Sequence, residues 1–166
     1  EGWEMLADVD LSEYSSHLQV IEALPEPEGM GAVACNIRSP ESLLLRLDHD
    51  LSPRWGLLTA IDVIGAHHTD VTRDGRQEII CGGFGRARDN RTAPLRTALH
   101  VMTDAGEPLY WHRWEGHSHC TVCDMQEVDG TVQLLVSVGT NGGDQGRWSL
   151  AEGVEESLYI IEPNVE

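Results

Sequence analysis

The sequence predicts an all-β protein built from repeated four-stranded units. Short apolar runs such as LQVIEAL, SLLLRLD and VQLLVSVG are separated by clusters of Gly, Pro, Asn and Asp, the pattern of strands joined by turns. Apolar residues at helical spacing are hard to find, since the best candidate, TAPLRTAL at 92–99, is short and contains Pro94. An internal repeat is the third observation, and it sets the size of each unit.

Length and charge narrow the class of protein. The chain has 166 residues, 40% of them hydrophobic, which is enough for one domain with a sizeable core. It carries 28 acidic and 11 basic residues, all of the latter arginine, and a net charge of -17. Such a surface repels a phosphate backbone and argues against nucleic acid as a partner, and no apolar run is long enough for a membrane-spanning helix. An arginine-only composition fits both a GC-rich genome and adaptation to high salt.

One apolar strand recurs at a spacing near 55 residues. LLRLD at 44–48 aligns with LHVMT at 99–103 and with LYIIE at 158–162. The repeat divides the single region 1–166 into units of approximately 1–43, 44–98 and 99–157, with the start of a further unit at 158–166.

A loop with a buried strand behind it also recurs. DVTRDGRQEIICGG at 70–83 aligns with DMQEVDGTVQLLVSVG at 124–139, and a weaker copy without Asp-Gly opens the chain at 7–24. The second copy has one extra residue and Gln133 in place of an acidic side chain, so we expect it to be a plain turn.

Each unit therefore reads as a strand, a turn, a strand carrying tryptophan, an Asp-containing loop, a third strand and a variable return. Tandem four-stranded units of this size predict the blades of a β-propeller. Alternation along the strands predicts the residues that contribute to the cores: Leu45, Leu47, Ile79, Val101, Leu134 and Val136.

The residue pattern of the 70–83 loop and strand resembles the FG-GAP/VCBS class of propeller repeat. In that class, Asp-x-Asp-x-Asp-Gly-x-x-Asp/Glu precedes an apolar strand and a glycine. The matching positions here are Asp70, Asp74, Gly75 and Glu78, with Thr72 in place of the middle aspartate.

The resemblance covers most of residues 44–139 and implies a non-catalytic binding or scaffold module for carbohydrate or protein, with an extracellular location favoured. Rings ordinarily have about 4–8 blades, so about three units would not close one. We expect the remaining blades to come from a longer chain, and an oligomer partner or an open array of blades are the alternatives.

The 70–78 loop is a candidate calcium site. Calcium needs oxygen ligands that converge from alternate positions, with glycine at the sharp turn, and Asp70, Asp74 and Glu78 supply three carboxylates. Thr72 offers only a hydroxyl and Arg73 adds a like charge, so binding is expected to be weak. The alternative is that Asp-Gly makes a tight turn and nothing more.

Two histidine pairs precede the loop copies, His67 with His68 and His117 with His119. If the blades are equivalent, both pairs approach one rim of the ring and mark a ligand-binding face. The segment GHSHCTVCD also offers zinc-type ligands, but alternate strand positions face opposite sides, which favours histidines satisfied by local contacts. The Gly-His pattern is similar to that of rhamnogalacturonan-type polysaccharide lyases and implies, as the alternative function, part of a calcium-dependent polysaccharide-active enzyme.

The four cysteines, Cys35, Cys81, Cys120 and Cys123, are too sparse for a disulfide scaffold. Three lie in apolar runs, where a thiol usually behaves as a small buried hydrophobe. A spacing of three residues on a strand points Cys120 and Cys123 to opposite faces, so we expect both to be reduced and not paired with each other.

Overall fold

The chain is seen in a computed structural model, which describes residues 18–36, 42–59, 61–85, 96–115, 117, 119–139 and 156–163. Within these ranges the structure contains strands and turns and no helix. The strands are β1 (Leu18–Glu26), β2 (Gly29–Asn36), β3 (Ser42–Leu47), β4 (Pro53–Thr59), β5 (Ile61–Thr69), β6 (Glu78–Gly85), β7 (Arg96–Thr103), β8 (Pro108–Glu115), β9 (His119–Val128), β10 (Thr131–Gly139) and β11 (Glu156–Ile161).

The strands form consecutive antiparallel meanders. Strands β1 to β4 pair in chain order as one sheet, and β5 to β8 pair in the same way. Strands β9, β10 and β11 form a third meander, joined to the second where Phe84 of β6 pairs with His119 of β9. The prediction of an all-β chain with antiparallel four-stranded sheets is confirmed at this level.

The second meander packs on both faces, because successive residues of its strands point to opposite sides. On one side a core joins it to the first meander, and that core includes Ile79 and Cys81. On the other side Ile80, Leu99 and Val101 pack with the third meander. Burial on both faces explains why these strands read as continuous apolar runs rather than alternating ones.

The predicted core residues are all buried. Each has an exposed fraction of 2% or less: Leu45, Leu47, Ile79, Val101, Leu134 and Val136.

The cysteines also follow the prediction. Cys35, Cys81 and Cys120 are buried, Cys123 is exposed, and all four are free thiols. Burial raises the pKa of Cys81 and of Cys120 to about 12. The buried thiols are therefore protonated at neutral pH and act as core residues.

The recurring strand occupies the same place in each meander, since β3, β7 and β11 are each the third strand. The sheets begin at Leu18, Ile61 and His119, whereas residues 44 and 99, where the predicted units begin, lie in β3 and β7. The division into units stays a prediction. Residues 7–17 of the weak third copy and 92–95 of TAPLRTAL lie outside the described residues, and from Arg96 onward that segment is strand β7.

A buried ionic contact joins the first two meanders at one end. Arg46 of β3 is 2% exposed and binds Glu26 beside the β1–β2 turn and Asp104 in the β7–β8 turn, with its Nε 2.8 Å from Asp104 Oδ1. The indole Nε1 of Trp55 donates a hydrogen bond to the Asp104 carbonyl at 2.8 Å. Gly106, with a φ of 82°, lies against the Trp55 ring. These contacts hold the two sheets together where the candidate site lies.

Candidate functional site

The loop between β5 and β6 folds around its own carboxylates. The amide of Gly75 donates to Asp70 Oδ2 at 2.9 Å, and the amide of Arg76 donates to Asp74 Oδ1 at 2.8 Å. Glu78 is 3% exposed, and its Oε2 accepts from the amide of Val71 at 2.7 Å. Gly75 has a φ of 86°, which a residue with a side chain adopts only at a cost. Backbone amides thus fix all three carboxyl groups.

The three predicted metal ligands come together. One oxygen each from Asp70, Asp74 and Glu78 lies within 4.8 Å of the other two. The Oδ1 atom of Asp70 is buried and has no hydrogen-bond partner. A buried carboxylate oxygen without a donor is costly, and a cation would satisfy it. Hard oxygen donors of this kind suit calcium, so the residues fit the ion that the sequence pattern implies.

Thr72 and Arg73 make contacts that the sequence does not predict. The Thr72 hydroxyl donates to Glu78 Oε1 at 3.3 Å, so it supports a ligand. The Arg73 guanidinium binds the Gly130 carbonyl at 2.6 Å and Glu127 at 3.1 Å. It therefore ties the loop to the β9–β10 turn, and its charge is partly compensated there by Glu127.

The second loop copy is a plain turn, as expected. Val128 pairs with Thr131, and the two residues between them, Asp129 and Gly130, have φ values of 50° and 84°. Positive φ at both central positions is the geometry of a tight hairpin turn, for which Asp-Gly is a preferred sequence.

The histidines are spread over several environments. His67 lies near the end of β5, with its Nε2 3.3 Å from the Val122 carbonyl, while His119 opens β9. The Nδ1 of His117 lies 2.9 Å from the Glu115 carbonyl. Within the described part of the chain, none of these histidines belongs to a cluster of metal-ligating groups. A shared ligand rim stays a prediction, and only His68 faces the cleft described next.

A cleft of about 700 Å³ lies beside the loop, between the first two meanders. Its walls are the β1–β2 hairpin, the β5–β6 loop and the β7–β8 turn, and Arg46, Arg54 and His68 are among its lining residues. Ligand pockets typically have a volume of about 300–1,000 Å³. Sequence reasoning missed Arg46 and Asp104 because neither belongs to a motif, and they meet only when the two sheets pack.

Comparison with known proteins adds nothing to this geometry: no family model, no curated protein and no solved structure matches the chain.

Proposed function

We propose that this chain is a non-catalytic binding or scaffold module of the FG-GAP/VCBS propeller type, with carbohydrate or protein as its ligand and calcium in its 70–78 loop. The observation that carries the proposal is the convergence of Asp70, Asp74 and Glu78, together with the buried, unpartnered Oδ1 of Asp70. Calcium there would join β5 to β6 and fix one wall of the cleft.

The sheet architecture supports the same proposal. Consecutive meanders that pack face to face, with the recurring strand third in each, are what successive propeller blades require. Further blades would come from a longer chain or from an oligomer partner. The part of the chain that the structure describes holds no helix able to cross a membrane.

Calcium titration by calorimetry tests the loop. We expect weak binding by the wild type, with a Kd of about 1 mM, because only three carboxylates converge. A tenfold excess of calcium over that Kd would raise the free energy of unfolding by about 1.4 kcal/mol. Thr72→Asp should tighten binding by restoring the middle carboxylate, and Asp74→Ala should abolish it.

Asp129→Asn is the matched control, because it alters the corresponding Asp-Gly pair in the plain turn. It should leave the calcium affinity unchanged. Absence of binding heat from Thr72→Asp at any calcium concentration would show that the loop is only a turn. Incubation with a pectic polysaccharide tests the alternative function: a binding module releases no unsaturated product that absorbs in the ultraviolet.

A further inference from the structure

The cleft between the first two meanders carries an excess of acidic groups. Its lining includes three arginines and twice as many carboxylates, which are Glu26, Glu28, Asp74, Glu78, Asp104 and Glu107. Two of the arginines are already neutralised, since Arg46 binds Glu26 and Asp104, and Arg54 Nη1 lies 2.6 Å from Asp104 Oδ2. The remaining lining charge is therefore negative.

Two of the acidic lining residues lie on different turns of the chain. Glu28 belongs to the β1–β2 turn and Glu107 to the β7–β8 turn, and both are exposed. Within the described residues, neither has an ion-pair partner, whereas Arg76 lies 4.0 Å from Asp74. These two carboxylates are free to bind a cation that enters the cleft.

His68, at the same cleft, provides an acceptor of a different kind. Its Nε2 is buried, has no hydrogen-bond partner and lies 4.0 Å from Asp104 Oδ1. When the ring carries its proton on Nδ1, one cationic head group placed between Nε2 and Oδ1 can donate a separate N–H to each, because a hydrogen bond spans about 2.9 Å.

Apolar surface flanks these polar groups. Pro25, Pro27 and Leu109 also line the cleft, and its described lining includes no Phe, Tyr or Trp on which a sugar ring would stack. A long basic side chain matches this surface, because its methylene stem packs on apolar groups while its cationic head reaches carboxylates.

We infer that the cleft is the docking site for a lysine or arginine side chain on a basic segment of a partner protein. The inference rests on the proposed function as a binding module and names the chemistry of its ligand. It needs no calcium, so calcium titration in the absence of peptide tests the proposed function separately.

Binding of a fluorescein-labelled tetralysine peptide, followed by anisotropy in 0.15 M NaCl with a calcium chelator, tests the inference on the full chain. We expect saturable binding that falls about tenfold or more when the lysines are acetylated. The double variant Glu28→Gln/Glu107→Gln should weaken binding about fivefold or more, because it removes the two free carboxylates. His68→Leu should also weaken it, by removing the buried acceptor.

Glu115→Gln/Glu162→Gln is the matched control, since it removes two exposed charges that do not line the cleft. It should change the affinity less than twofold. An equal loss in both double variants would mean general attraction to an acidic surface, and equal binding of acetylated peptide would mean another kind of occupant. Either result, or no binding, overturns the inference. Should His68→Leu fail to fold, the two double variants, altered only at exposed positions, decide the question.

Discussion

Arg46 shows how far a single residue can depart from what its neighbours in the sequence indicate. It lies within the apolar run SLLLRLD, where nothing marks it as a buried charge. In the structure it shares the inner face of β3 with Leu44, and its partner Asp104 is 58 residues away in the chain. Alternation along the strand predicts that Leu45 and Leu47 are buried, but no local pattern indicates an ion pair that forms only between two sheets.

Replacing Arg46 with methionine should lower the free energy of unfolding by about 3 kcal/mol. The substitution keeps the volume of the side chain but leaves the carboxylates of Glu26 and Asp104 without their shared cation. Arg54→Met is the matched control, because Arg54 also binds Asp104 but is 46% exposed, and it should cost less than about 1 kcal/mol. Urea unfolding of both variants measures the difference, and equal losses would contradict a special role for the buried pair.

The contribution of the Arg46–Glu26 ion pair to the free energy of unfolding depends on pH. Burial would raise the pKa of Glu26, but the hydrogen bond and charge of Arg46 outweigh it, and the pKa lies below its ordinary value of 4.5. A carboxyl group with a lowered pKa in the folded state stabilises the fold above the unfolded pKa and loses that effect as pH falls through the folded pKa. The stability advantage of the wild type over Arg46→Met should therefore shrink as pH is lowered through 4.5 and below it.

At the scale of elements, turns and strand burial were predictable, whereas the contacts between sheets were not. Asp129-Gly130 was expected to be a plain turn because Asp-Gly favours positive φ, and it is one. The close approach of β9 to β6 has no comparable signal in the sequence. It depends on Gly82, where an added Cβ would lie 2.6 Å from the Cys120 carbonyl oxygen. A glycine inside an apolar strand suggests close approach by something, but the sequence does not say by what.

Gly82→Ala should therefore destabilise the fold by about 2 kcal/mol or more, because the backbone of β9 would have to move. Gly65 pairs directly with Gly82 across the sheet, yet a Cβ added there meets nothing within 4 Å. Gly65→Ala is thus a matched control on the neighbouring strand and should be neutral. Thermal unfolding of the two variants distinguishes them, and a neutral Gly82→Ala would mean that β9 does not lie against β6 as described.

At the scale of the whole molecule, the all-β class and the near-55-residue spacing of the strands β3, β7 and β11 could be predicted from the sequence. The sequence does not indicate which sheet faces pack against each other, because an apolar strand has the same pattern whichever sheet covers it. Two of the cores lie on the two faces of the second meander, so its strands hold the first and third meanders together. This arrangement buries apolar side chains, and among the described acidic residues only Glu78 is buried.

That surface charge should make the stability of the whole chain depend on salt. Even if every one of the 11 arginines were paired, 17 acidic charges would remain to repel one another in the folded state. The screening length falls from about 30 Å at 0.01 M salt to about 3 Å at 1 M, so added salt relieves this repulsion. We expect the Tm to rise by roughly 3 °C or more between 0.01 M and 0.5 M NaCl, since about 1 kcal/mol corresponds to about 2–4 °C for a chain of this size.

The measurement needs a calcium chelator throughout, so that ion binding in the 70–78 loop does not contribute to it. Tetramethylammonium chloride is the control salt, because its cation screens charge but is too large and too weakly coordinating to enter a carboxylate site. The two salts should raise the Tm equally if screening is the cause. A Tm that falls with either salt would mean that attractive pairs such as Arg46 with Glu26 outweigh the repulsion, because screening weakens attraction as well.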